Sequence, residues 1–133
     1  MQSALPPVAI VKGERGHQPV FQALDMIDYK KALMGYDKVI IKVNFICEKT
    51  WDSGATTDPI VVEALIQRLK KLPVEIYVVE SDATMTNADT AFEKTGMKEM
   101  CSRNGVECLN LRHLEDQDTL IIAKGETLGG RMH

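Results

Sequence analysis

A chain of 133 residues, 44% hydrophobic and 26% charged, is long enough for one domain with a true core, and a formal charge of −3 with a pI near 5.6 argues against nucleic acid as a partner. The three cysteines, Cys47, Cys101 and Cys108, are odd in number and lack CxxC spacing, which argues against a disulfide framework or a zinc knuckle and fits a reducing cytoplasm. The opening MQSALPP has no basic segment leading into an apolar run, and no apolar run elsewhere approaches the roughly 20 residues needed to cross a bilayer. The expectation is a soluble, cytoplasmic protein without a membrane partner.

In chain order, PVAIVK from Pro7 to Lys12 reads as a short apolar strand, broken by Gly13 to Gly16 before a helical pattern starts near His17. Val20, Leu24 and Ile27 share one face of that helix. After a turn at Gly35 to Asp37, Lys38 to Val43 is a nearly continuous apolar run, the kind buried on both faces of a parallel sheet. A polar loop from Asn44 ends in Thr56-Thr57-Asp58-Pro59, where Asp58 as N-cap and Pro59 at the first helical position predict a helix to about Lys71. Pro73 stops it, and Val74 to Val79 forms a third strand leading into Glu80, Ser81 and Asp82. Thr86 or Asn87 caps a further helix that Gly96 interrupts before a turn carrying Met97, Met100 and Cys101.

Val106 to Leu109 reads as a fourth strand, Arg112 to Asp118 as a charged connection and Thr119 to Ala123 as a fifth strand of open direction. This alternation predicts a single α/β domain over residues 1–133: an open, mostly parallel, Rossmann-like sheet of four to five strands with helices on both faces. Gly129 and Gly130 look like a turn leading onward, as in the N-terminal part of a longer protein.

Parallel strands would bring the loops after Lys12, Lys42 and Glu80 to one carboxyl edge, where open α/β sheets bind ligands. Lys12, Lys42 and Lys124 end strands, and together with helix starts near Asp58 and Asn87 they suggest an anion site; solvated strand ends are the plainer reading. Lys42 is the strongest of the three, following Ile40 and Ile41. The Gly13 to Gly16 segment lacks both GxGxxG and GxxxxGK[ST] and reads as a turn. Thr56 and Thr57 could cradle an anion or merely shape the turn, and Glu80 and Asp82 around Ser81 could act as general base, metal ligands or ribose hydroxyl acceptors or be ordinary loop acids. No Ser-His-Asp arrangement is assignable, with His17 the only histidine placed near this edge, and no metal-ligand set or cofactor is named. Cys47 lies in the loop as an inert or reactive thiol, and Trp51 either covers a ligand or packs the loop down.

The order IKVN, GATTDPIVVEAL, VVESD and AFEKTGM resembles the family catalogued as domain of unknown function 362, from the opening VAIVKG through about Leu111. In that family the second strand usually ends in Ile-Lys-Pro-Asn; Lys42 and Asn44 match and Val43 departs from the proline. Thr57-Asp58-Pro59 corresponds to a Thr-x-Pro element and Glu80-Ser81 to a Glu-Ser pair. The resemblance implies that relatives continue into a second half and are sometimes fused to ferredoxin-like iron–sulfur modules.

These readings converge on a domain that binds a small anionic ligand or metal-bound metabolite at the carboxyl edge. The ligand-binding candidates are Lys12, Lys42, Asn44, Thr56, Thr57, Asp58, Glu80, Ser81 and Asp82; if the site is catalytic, Lys42 stabilises negative charge and Glu80 is the base. The alternative is a non-enzymatic accessory module that docks onto an iron–sulfur protein or supplies half of a two-domain site.

Overall fold

The computed structural model describes residues 7–114. Five helices, α1 (His17–Met26), α2 (Tyr29–Ala32), α3 (Pro59–Leu69), α4 (Ala88–Lys94) and α5 (Met97–Arg103), accompany three strands, β1 (Lys38–Lys42), β2 (Glu75–Glu80) and β3 (Glu107–Asn110). The strands form one open parallel sheet in the order β1-β2-β3, with Ile41 opposite Val78 and Val78 opposite Cys108. The α/β class and the parallel sheet agree with the sequence reading, while the strand count is three among the described residues instead of four to five. The run Thr119 to Ala123, Lys124 and the Gly129-Gly130 turn lie outside the described residues.

Two expectations are corrected. Pro7 to Lys12 is not a strand: the segment pairs with nothing among the described residues, and Val8 and Ile10 are 84% and 88% exposed. Alternating apolar residues report which side of an extended segment is covered, and they carry no information on whether its backbone finds a ladder partner. The described helices also do not sit on both faces. Because strand order follows chain order, crossovers of the same right hand bring α3, α4 and α5 to the same side of the sheet. There Val62, Ile66, Ala91, Phe92, Met97 and Met100 close the core over Val43 and Val78, with Ile41, Ile76 and Cys108 packed against it. The opposite face carries Ile40, Tyr77, Val79 and Leu109, and Ile40 is 61% exposed.

Local chemistry sets the element ends. Asp58 Oδ1 accepts from Ile60 N at 3.0 Å, and Pro59 starts α3 with the fixed φ a first turn requires. Asn87, not Thr86, caps α4 by accepting from Thr90 N at 3.0 Å. Gly96 at φ 78° makes the left-handed corner between α4 and α5, which a residue with a Cβ adopts only at a cost. α1 docks on α3 through Arg68, whose guanidinium lies 4.4 Å from the Phe21 ring and pairs with Asp25 at 2.6 Å.

Candidate functional site

β1 and β2 run side by side and end together, so their loops leave the sheet at one edge. The first loop keeps step with the sheet for one more residue, Val43 N donating to Val79 O at 3.1 Å, and then turns back on itself through a bridge between Phe45 and Thr56. Phe45 is buried and meets Phe92 of α4 edge to face at 5.1 Å, which fixes the loop to the core. The second loop makes a small antiparallel turn between Ala83 and Thr86. Thr86 Oγ1 donates to Ile46 O at 2.7 Å and fastens one loop to the other.

Between them lies a cleft of about 380 Å³, within the usual range for small-molecule sites. Lys42, Asn44, Glu80 and Ser81 line its polar side, and Phe45, Ile46, Ala83, Thr84, Met85 and Thr86 complete it. Glu80 is only 6% exposed. Its carboxylate accepts from Ser81 N at 2.9 Å, from Phe45 N at 3.2 Å and from Lys42 Nζ, which stands 2.9 and 3.1 Å from its two oxygens. A carboxylate so furnished is a fixed anchor, because the partners that offset its desolvation also consume its lone pairs. Lys42 Nζ also donates to Val43 O at 2.9 Å, yet its side chain remains 61% exposed. Hydrogen bonds to Val43 O and Glu80 Oε2 use two of its three donors and leave one for a ligand.

Four of the sequence candidates, Lys42, Asn44, Glu80 and Ser81, therefore meet in one cleft. The other five are engaged elsewhere or stand apart. Thr57 Oγ1 accepts from Asn44 N at 2.8 Å, and buried Thr56 donates to Lys49 O at 3.0 Å, so both threonines hold the loop in shape. Asp58 caps α3 and receives Arg15 through two hydrogen bonds, at 2.7 and 2.9 Å. Burial pushes the Asp58 carboxyl up, but the bonds from Arg15 and Ile60 N outweigh it and hold the group below its ordinary value. Asp82 accepts from Ala88 N and Asn110 Nδ2, each at 2.9 Å, and these bonds, the Ala88 one foremost, keep it ionised below the usual carboxylate range. Lys12 is exposed on the irregular segment before α1 and is not among the described residues lining the cleft.

Residues around the cleft complete the picture. Arg15 stacks on Trp51 at 3.9 Å while binding Asp58, so Trp51 packs the loop down and is not part of the cleft wall. His113 joins Asp89 at 2.8 Å, and Asn110 Nδ2 bridges Asp82 and Asp89 at 2.9 Å each, near the carboxyl end of β3. His113 first, then Asn110, depresses the Asp89 pKa. His17 instead pairs with Glu63 of α3 at 3.0 Å. Cys47 is half-buried and does not line the cleft. Among the described residues no group of three or more His, Cys, Asp or Glu side chains is arranged to hold a metal ion.

A three-stranded parallel α/β domain with a lysine-bearing cleft at its carboxyl edge is the class that fold and geometry define. Comparison with known families gives one match, to the family described as "Domain of unknown function (DUF362)", over residues 39–130. The chain belongs to that family. No curated protein and no solved structure matches it.

Proposed function

We propose that the chain is a ligand-binding domain that takes a small anion into the cleft between the β1 and β2 loops. One observation carries this reading: Lys42 is held by Glu80 and Val43 O with its amine still open to a concave surface. A lysine so oriented meets an anion without first being immobilised, which lowers the entropic cost of binding. Asn44 and Ser81, both exposed in the lining, add neutral hydrogen-bonding groups beside it. In this reading Glu80 orients Lys42, and Lys42 would stabilise negative charge in any reaction the site performs. Calorimetric titration of the chain with acetate and other small anions tests it. Lys42→Met is expected to fold like the parent, by circular dichroism, and to lose anion binding at least tenfold; unchanged affinity would take Lys42 out of the site.

A second reading, an accessory module docked on a larger assembly, draws support from the sheet face that no described helix covers. Parallel sheets are normally covered on both faces, and here Ile40 stands 61% exposed beside Tyr77, Val79 and Leu109. A second domain or an iron–sulfur protein partner would cover it. Light scattering with size exclusion tests this: a monomer that Ile40→Glu leaves unchanged in every association assay counts against docking there. No helix among the described residues is long and apolar enough to cross a membrane, and three free thiols suit the cytoplasmic location proposed here.

A further inference from the structure

The geometry points to a more specific ligand for this cleft: a small amphipathic monocarboxylate, with its single charge at Lys42 and its apolar body against Ile46 and Met85. The inference rests on the anion-binding reading above and adds to it the class of anion. Two features of the lining carry it. The first is charge: among the described residues lining the cleft, Lys42 and Glu80 are the only ionisable groups, and their formal charges sum to zero. Glu80 Oε1 lies 2.9 Å from the amine that would meet the ligand. One negative charge can be matched by Lys42, whereas the second charge of a phosphate would face Glu80 with no further cation in the lining.

The second feature is the apolar rim. Ile46 is 68% exposed and Met85 is 93% exposed, although both are large hydrophobic side chains, and they come from loops that follow different strands. The hydrogen bond from Thr86 Oγ1 to Ile46 O brings the two loops together, so both side chains border the same cleft as Lys42. Exposed apolar side chains that converge on a concave polar spot mark a ligand surface more strongly than scattered ones do. A tail lying between them would dehydrate both, and at half burial each added methylene tightens binding by about twofold.

The test is calorimetric titration of the full chain with acetate, hexanoate, hexanol and inorganic phosphate. Hexanoate, four methylenes longer than acetate, is expected to bind about sixteenfold more tightly than acetate. It should also exceed phosphate and hexanol. The double variant Ile46→Ser, Met85→Ser changes only exposed side chains; it should erase the advantage of hexanoate over acetate while leaving acetate binding in place. Acetate or phosphate binding as tightly as hexanoate overturns the inference and leaves the anion cleft standing. Hexanol binding as tightly as hexanoate, hexanoate binding undiminished in Lys42→Met, or no anion binding at all overturns both.

Discussion

Glu63 and Glu80 are both carboxylates surrounded by donors, and they serve opposite ends. Glu63, on α3, collects His17 from α1 at 3.0 Å, Arg103 from α5 at 3.0 Å and Asn104 just beyond α5 at 2.9 Å. It ties three helices together, and the bond from Arg103, ahead of those from Asn104 and His17, holds its pKa down to about 2 against the effect of burial. Glu80 also gathers a cation and further donors, but two of those donors are the backbone N–H groups of Phe45 and Ser81, and its cation borders a cleft. Ion pairing alone does not distinguish a site from a clamp. What distinguishes them is whether the partner's remaining donor faces a concave wall.

The sharpest way to break this comparison is Glu80→Ala. It strands two backbone N–H groups and frees the loops, and a loss of about 2–4 kcal/mol is expected by urea denaturation. Next comes Glu63→Gln, expected to cost about 2 kcal/mol at neutral pH by the same measurement. Its pH signature is distinctive. The folded pKa of Glu63, about 2, lies below the ordinary value of 4.5, so its contribution is present above about pH 4.5 and is lost as pH falls toward 2. Thermal melts of Glu63→Gln and the parent should therefore converge across that window, and a constant gap would remove Glu63 as an acid-sensitive clamp.

Asp58→Ala removes a helix cap and the anchor of Arg15, with an expected loss of about 1–2 kcal/mol in the same denaturation series. Smallest in stability is Lys42→Met, at about 0.5–1 kcal/mol, because the Phe45 and Ser81 N–H groups still serve Glu80. Its large effect is expected in ligand binding, and a variant that unfolds instead would make Lys42 a clamp like Arg103.

The sequence made the cleft legible where its polar lining sits at strand ends. Lys42 with Asn44 and Glu80 with Ser81 each follow an apolar run that formed a strand, and neighbouring parallel strands bring such ends together. It is silent where a residue's partner lies far along the chain. Asp82 is engaged by Asn110, 28 residues on, and Asp58 by Arg15, 43 residues back. Hydroxyls at Thr56 and Thr57 look identical in sequence whether they face a ligand or a loop carbonyl. The exposure of Ile40 follows from strand order, which hydrophobic pattern does not encode: Lys38 to Val43 reads as a nearly continuous apolar run, and only the β1-β2-β3 arrangement places the described helices on one face and leaves Ile40 exposed on the other.

The hydrogen bond between Thr86 Oγ1 and Ile46 O spans 40 residues of sequence. Its consequence is mechanical: the two loops that wall the cleft are tied at one point, so the gap between them is set by the fold itself. A single hydroxyl thus acts as a spacer, so Thr86→Val, nearly the same in shape, would widen the distribution of gap widths while leaving Lys42, Asn44, Glu80 and Ser81 unchanged.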